Sequence, residues 1–233
     1  MPYAFVGSGA NSANGNTITY SPTAGNTIVV TVATSSGGGS PTFTVADNGS
    51  GSTWTVRKAA AQDGSGILFY GLATGVVGTG VTVITFTFNG GAPGTTQMNL
   101  VEYSGLSATG WQGISAFNKQ TAPGTAANAL TSNNFNVTTQ PALLLGWVAD
   151  EDADNGQTAG TSPIVFTRRV NGVVSMIEDA RVLATGNAAA TATAGASNGS
   201  DNFYSYVLAI SEPSSIVTVP SQGPMPKQLY IMP

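Results

Sequence analysis

The stretch NTIVVTVAT (residues 26–34) decides the fold. Its apolar residues run almost without a break, and it is too short and too poorly bounded for a helix. It reads as a mostly buried β-strand. Outward from it, the same signal recurs. PTFTVAD and STWTVRKA alternate apolar and polar residues on either side of the turn-rich DNGSG (47–51). GILFYGLA, VTVITFTF (81–88) and QMNLVEYSG (97–105) follow, separated by Gly-rich connections such as SSGGGS and NGGAPGTT. No segment carries a capped apolar face of period 3.6. The Ala-rich GNAAATATAGAS reads as strand, because Thr alternates through it and Gly flanks it.

The second half of the chain repeats features of the first. LATG stands at 72–75 and again at 183–186. At the same offset, Arg57 and Lys58 meet Arg168 and Arg169. NTIVVTVAT has a counterpart in PALLLGWVAD, and MNLVEYSG in NFYSYVLAIS. Duplication and chance likeness in a Thr- and Gly-rich β chain both account for these matches. Ten or so strands that each bury one face call for two antiparallel sheets packed together. The reading is therefore all-β: a two-sheet antiparallel β-sandwich of jelly-roll type over residues 1–211, with an extended Pro-rich arm over 212–233. Residues 111–136, more weakly patterned, are expected to link the halves. The expected core includes Ile28, Val30, Val32, Trp54, Leu68, Val83, Phe86, Leu100, Leu143, Leu145, Trp147, Phe166, Tyr206 and Leu208.

Composition excludes several kinds of function. The 233 residues contain no His and no Cys, so Ser-His-Asp, Cys-His and His-ligated zinc chemistries are ruled out. Only 8% of residues are charged and the net charge is −4, with the seven basic residues scattered, so nothing neutralises a phosphate backbone. No apolar run reaches membrane-spanning length. The opening MPYAFVGSGANSANG lacks the basic and apolar regions of a signal peptide. A neutral, hydroxyl-rich surface without an export signal fits a virion protein, assembled in a host cytoplasm and later exposed on the particle.

The order AGNTIVVTVAT, LFYGLATG, VTVITFTF, VEYSGL resembles a broad group of Gly/Thr-rich β-sandwich proteins of bacteriophage virions, also seen among bacterial surface and secreted proteins. The resemblance implies virion-surface structure or carbohydrate contact, and it transfers no catalytic residues.

Three sets of residues are candidate sites. In DEDADNG (150–156), Asp150, Asp152 and Asp154 alternate like the opening of a calcium loop. Asn155 takes the place of the turn Gly and Thr161 that of the bidentate Glu. A solvated loop closing the preceding strand is the competing reading, and no other cofactor is expected. Trp111, in SATGWQG, is the candidate for stacking on a sugar ring, its neighbours being turn-like. In PSQGPMPKQLYIMP, prolines bar helix and central strand while Met225, Leu229, Tyr230, Ile231 and Met232 supply apolar surface. Such an arm offsets its ordering entropy only by docking on its own domain or on a partner. Glu102, Glu178 and Asp179 fall in expected strands, and the adjacent pair would point to opposite faces. No enzymatic activity is expected. The expected role is a capsid decoration or cement protein, a homo-oligomer that bridges other virion proteins and binds neither nucleic acid nor membrane. The alternative is an adhesive module contacting a host glycan.

Overall fold

The computed structural model describes residues 2–11, 15–36, 42–61, 68–89, 93–123, 128–150, 157–172, 175–194 and 200–213. Among them there is no helix. The N-terminal half contributes β1 (Ala4–Ala10), β2 (Thr17–Thr19), β3 (Thr27–Ser36), β4 (Thr42–Asp47), β5 (Thr53–Ala61), β6 (Leu68–Val76), β7 (Val83–Asn89) and β8 (Pro93–Ser104). The C-terminal half contributes β9 (Trp111–Ile114), β10 (Asn118–Pro123), β11 (Asn128–Thr131), β12 (Phe135–Val137), β13 (Ala142–Asp150) and β14 (Thr158–Ala159). It continues through β15 (Thr167–Asn171), β16 (Ser175–Val182), β17 (Gly186–Ala188), β18 (Thr191–Ala194) and β19 (Ser200–Ser211).

Two large antiparallel sheets form the middle of the molecule. Their orders are β1-β8-β3-β6-β5 and β10-β19-β13-β16-β15, with β9 also pairing with β19. They face each other across a layer that takes Val29, Tyr70, Leu72 and Val101 from the first sheet and Leu145, Trp147, Tyr206 and Leu208 from the second. Aromatic rings fill its centre. Tyr70 stacks on Phe117 at 4.1 Å between ring centroids, and Trp147 on Tyr206 at 4.9 Å.

The outer faces are covered as well. The small sheet β2-β7-β4 closes over Ile28, Val30, Val32 and Leu100 of the first large sheet, adding Ile18, Phe43, Ile84 and Phe86. On the other side, β12-β17 covers Leu144 and Val207, and β11-β18-β14 covers Val148, Met176 and Phe203. The described sheets thus stack four layers deep where two were expected, each half supplying its own large sheet and its own outer cover. This explains why 26–34 is apolar on both sides of the pleat: alternate residues enter alternate cores, and Ile28 through Val30 are fully buried. Strands β2, β4 and β7 keep clean alternation because only one of their faces is covered.

The two halves correspond strand for strand in their large sheets, down to their irregularities. β1 bulges between Phe5 and Gly7, and β9 between Trp111 and Gly113. β5 bulges around Arg57 and β15 around Arg169. Following the pairings through β3 and β13 makes Val29, Thr74 and Val101 equivalent to Leu145, Asp179 and Leu208. Three expectations change. The basic pairs are out of step by one, with Arg57 matching Arg169 and not Arg168. The repeated LATG is not an equivalent pair: Leu72 is buried in β6, whereas Leu183 follows β16 and is 63% exposed. The four-letter match arose among common residues, and the equivalent of 72–75 is 177–180. Residues 111–136 are not a link, since β9 and β10 together occupy alongside β19 the place that β1 takes beside β8.

Most of the expected core is buried, including Phe166 and every expected position of β3 and β13. Trp54 is only half-buried; its ring lies on Gly75, where a Cβ would come within 2.4 Å of Trp54 Cε3, and its indole N–H donates to Asp47 at 2.6 Å. Val83 is half-buried because it faces outward from β7. Nothing is described of the Leu68 side chain.

Trp147 is fully buried in the central layer. Trp147→Ala is expected to cost about 3–5 kcal/mol, read as a fall in the urea midpoint. Trp54→Ala, at a half-buried site, is expected to cost less than half of that.

Candidate functional site

Polar groups cross the seam between the two large sheets at one side of the central layer. Tyr103 of β8 donates its hydroxyl to Asp179 of β16 at 2.6 Å, and Arg169 Nε donates to the same carboxylate at 2.8 Å. The Arg169 guanidinium lies over the Phe5 ring, 4.4 Å from its centroid, and Tyr3 packs edge-on against Tyr103. Nearby, Asn99 Nδ2 donates to the Ser175 hydroxyl at 2.7 Å and the Ser8 hydroxyl to the Arg169 carbonyl at 2.9 Å. Burial and the Asp179 charge together push the Tyr103 and Tyr3 hydroxyls well above the usual phenol range. These groups hold the halves in one register, each buried donor meeting an acceptor.

The opposite side of the layer carries the equivalent arginine with different surroundings. Arg57 Nε donates to the Thr74 hydroxyl at 2.8 Å, and its guanidinium lies over Trp111, 4.8 Å from the ring centroid. Trp111 therefore begins a strand rather than sitting on a turn; it is half-buried against the core, with one ring face taken by Arg57. The turn-like neighbours misled because the turn, which includes Ala108 and Thr109, ends just before it.

The outer face of β2-β7-β4 is a uniform one. Thr17 lies opposite Thr85, and Thr85 opposite Ala46; Thr87 lies opposite Thr44, and Thr19 opposite Val83. Thr17, Thr19, Thr42, Thr44 and Thr87 are exposed, and no charged residue stands among them. Alternation forces this: the intervening Ile18, Phe43, Ile84 and Phe86 are the inward set.

The carboxylates are separated. Glu102 points into the outer layer of the N-terminal half, where it accepts bonds from Tyr20 at 2.7 Å, Asn26 Nδ2 at 2.6 Å and the Thr23 amide at 2.9 Å. Glu178 and Asp179 point to opposite faces of their sheet, Glu178 toward β14 and Asp179 into the seam. Glu178 is fully buried; Oε2 accepts the Gly160 amide at 2.9 Å, while Oε1 meets no donor. Asp150 ends β13, and Asp152 and Asp154 lie outside the described residues. Among the described residues, no group of three or more acidic side chains is placed to hold a metal. Met225, Leu229, Tyr230, Ile231 and Met232 also lie outside the described residues. The seam contacts were beyond reach from sequence, since Tyr103 and Asp179 are 76 residues apart. No family model, curated protein or solved structure matches the chain.

Burial, reinforced by the neighbouring Asp179 charge and only partly opposed by the Gly160 amide, pushes Glu178 up to about 8. The folded chain then keeps a proton that the unfolded chain loses above its ordinary value of 4.5. Stability therefore falls as pH rises from about 4.5 to about 8 and stays reduced above that. Glu178→Gln is expected to flatten this slope and to raise the melting temperature by roughly 5 °C near pH 9, checked by thermal melts across that range.

Proposed function

We propose that the chain is a structural protein of a bacteriophage virion, a capsid decoration protein that bridges neighbouring subunits, and that its two halves descend from one sandwich module. The observation that carries this reading is the uncharged threonine face of β2-β7-β4, backed by a stack of sheets. Such a face offers methyl groups for burial and hydroxyls for hydrogen bonds. It meets a partner without stripping water from any charge, which is the costly part of burying an ionic surface. The seam bonds and the aromatic layer make the platform behind it rigid, so little conformational freedom is lost on docking. The matched bulges of β1 with β9 and of β5 with β15 support descent from a single module. The apolar sequence 225–232 supplies a second contact in this reading, and the proposed role is mechanical rather than catalytic.

The glycan-binding alternative has weaker support, because Arg57 occupies one face of the Trp111 ring and leaves it a poor stacking platform.

Sedimentation of the purified chain, alone and with undecorated phage shells, tests the proposal. Self-association or co-sedimentation is expected, and Thr44→Lys with Thr87→Lys is expected to weaken it by about tenfold or more. Removing residues 222–233 is expected to weaken it without changing the fold. A chain that stays monomeric at every concentration and leaves shells bare would overturn the reading.

A further inference from the structure

Arg57 and Arg169 occupy the same bulge in equivalent strands, and each lies over an aromatic ring of the opposite half. Their counter-charges differ. Arg169 bonds Asp179, a carboxylate 2% exposed. The equivalent position opposite Arg57 is Thr74, which offers one hydroxyl to Nε. Among the described residues, no carboxylate comes within ion-pair distance of Arg57. Burial alone acts on its guanidinium, holding its proton affinity below the usual arginine value with no charge to restore it. A partly buried cation without an anion is costly, and stacking on a ring recovers only part of that cost.

The space left by the missing carboxylate is open. A small cleft of about 50 Å³, open to solvent, lies beside the guanidinium. It is lined by Thr27, Thr53, Thr55, Thr74 and Arg57, with Gly75 beside them. Thr27 and Thr74 are buried and Thr53 and Thr55 exposed, so hydroxyls stand both at the floor and at the rim. That is room for a carboxylate group, with the body of the molecule that bears it left at the rim.

We propose that this cleft binds a small carboxylate, such as that of an acidic sugar, which pairs with the terminal nitrogens of Arg57 while Nε stays on Thr74. The guanidinium fork matches the two oxygens of a carboxylate. The surrounding threonines offer donors and acceptors to a polyol attached to it. The same chain shows a related arrangement: a carboxylate on the arginine of the matching bulge, with an aromatic ring on the guanidinium face. This inference does not depend on the virion reading.

The test is an NMR titration of the full chain, following the Arg57 Nε–H and Trp111 indole N–H signals. Glucuronate and acetate are the probes, and chloride at equal ionic strength is the control. Both carboxylates are expected to give saturable shifts that chloride does not. Arg57→Gln is expected to weaken binding by about tenfold or more, the worth of a charge-assisted bond. Thr74→Asp is the sharper variant, because it builds into this half the carboxylate that the other half already has. It is expected to abolish the titration and to melt no lower than the parent. Shifts that chloride reproduces, or that persist in Thr74→Asp, overturn the proposal. Should Thr74→Asp fail to fold, unchanged titration of Arg57→Gln does so instead.

Discussion

Burial of both faces of two large sheets is the constraint on which everything else rests. A chain with 8% charged residues and no cysteine has neither ion-pair networks nor disulfides to hold it. Apolar area removed from water must supply the stability. A two-layer sandwich leaves half of every strand wet. Here the central strands β3, β13 and β19 lie between two cores each, so nearly every residue along them contributes. The cost is that these strands tolerate no slip of register, since a one-residue shift exchanges the contents of two cores at once.

The seam shows how that register is held. Apolar surfaces slide; directional bonds do not. Tyr103, Asp179 and Arg169 form a buried junction in which removal of any member strands the others. The bulges place Arg57 and Arg169 where each can reach across to a ring of the opposite half. The half with Asp179 is closed by its own carboxylate, and the half with Thr74 is left with a cation and a cleft. Two halves with matching large sheets thus differ in chemistry at one position.

The class of fold was legible in the sequence, and so was most of the core, because period-two patterning and unbroken apolar runs report local burial directly. NTIVVTVAT and PALLLGWVAD, both largely apolar, are each the centre strand of a large sheet. The outer layers were not legible: three-residue strands such as β12 and β17 carry too few residues to show a period. The LATG match misled because common residues coincide easily, while the true equivalence of Thr74 and Asp179 has no letter in common. Trp111 was noticed as a residue but its partner was not, since nothing local to SATGWQG points to an arginine 54 positions earlier. The seam depends on which faces meet, and strand patterns alone do not contain that.

The placement of the basic residues carries one more consequence. Among the described residues β5 and β15 stand at the rims of the two large sheets, where a strand can offer backbone donors and acceptors to a neighbour. For a neutral, threonine-rich chain at high local concentration, such rims invite uncontrolled ribbon growth from molecule to molecule. Arg57, Lys58, Arg168 and Arg169, four of the chain's seven basic residues, stand on these two strands. Both strands are also kinked by their bulges. Charge and kinks at these rims work against ribbon pairing there, and leave any association to faces rather than edges.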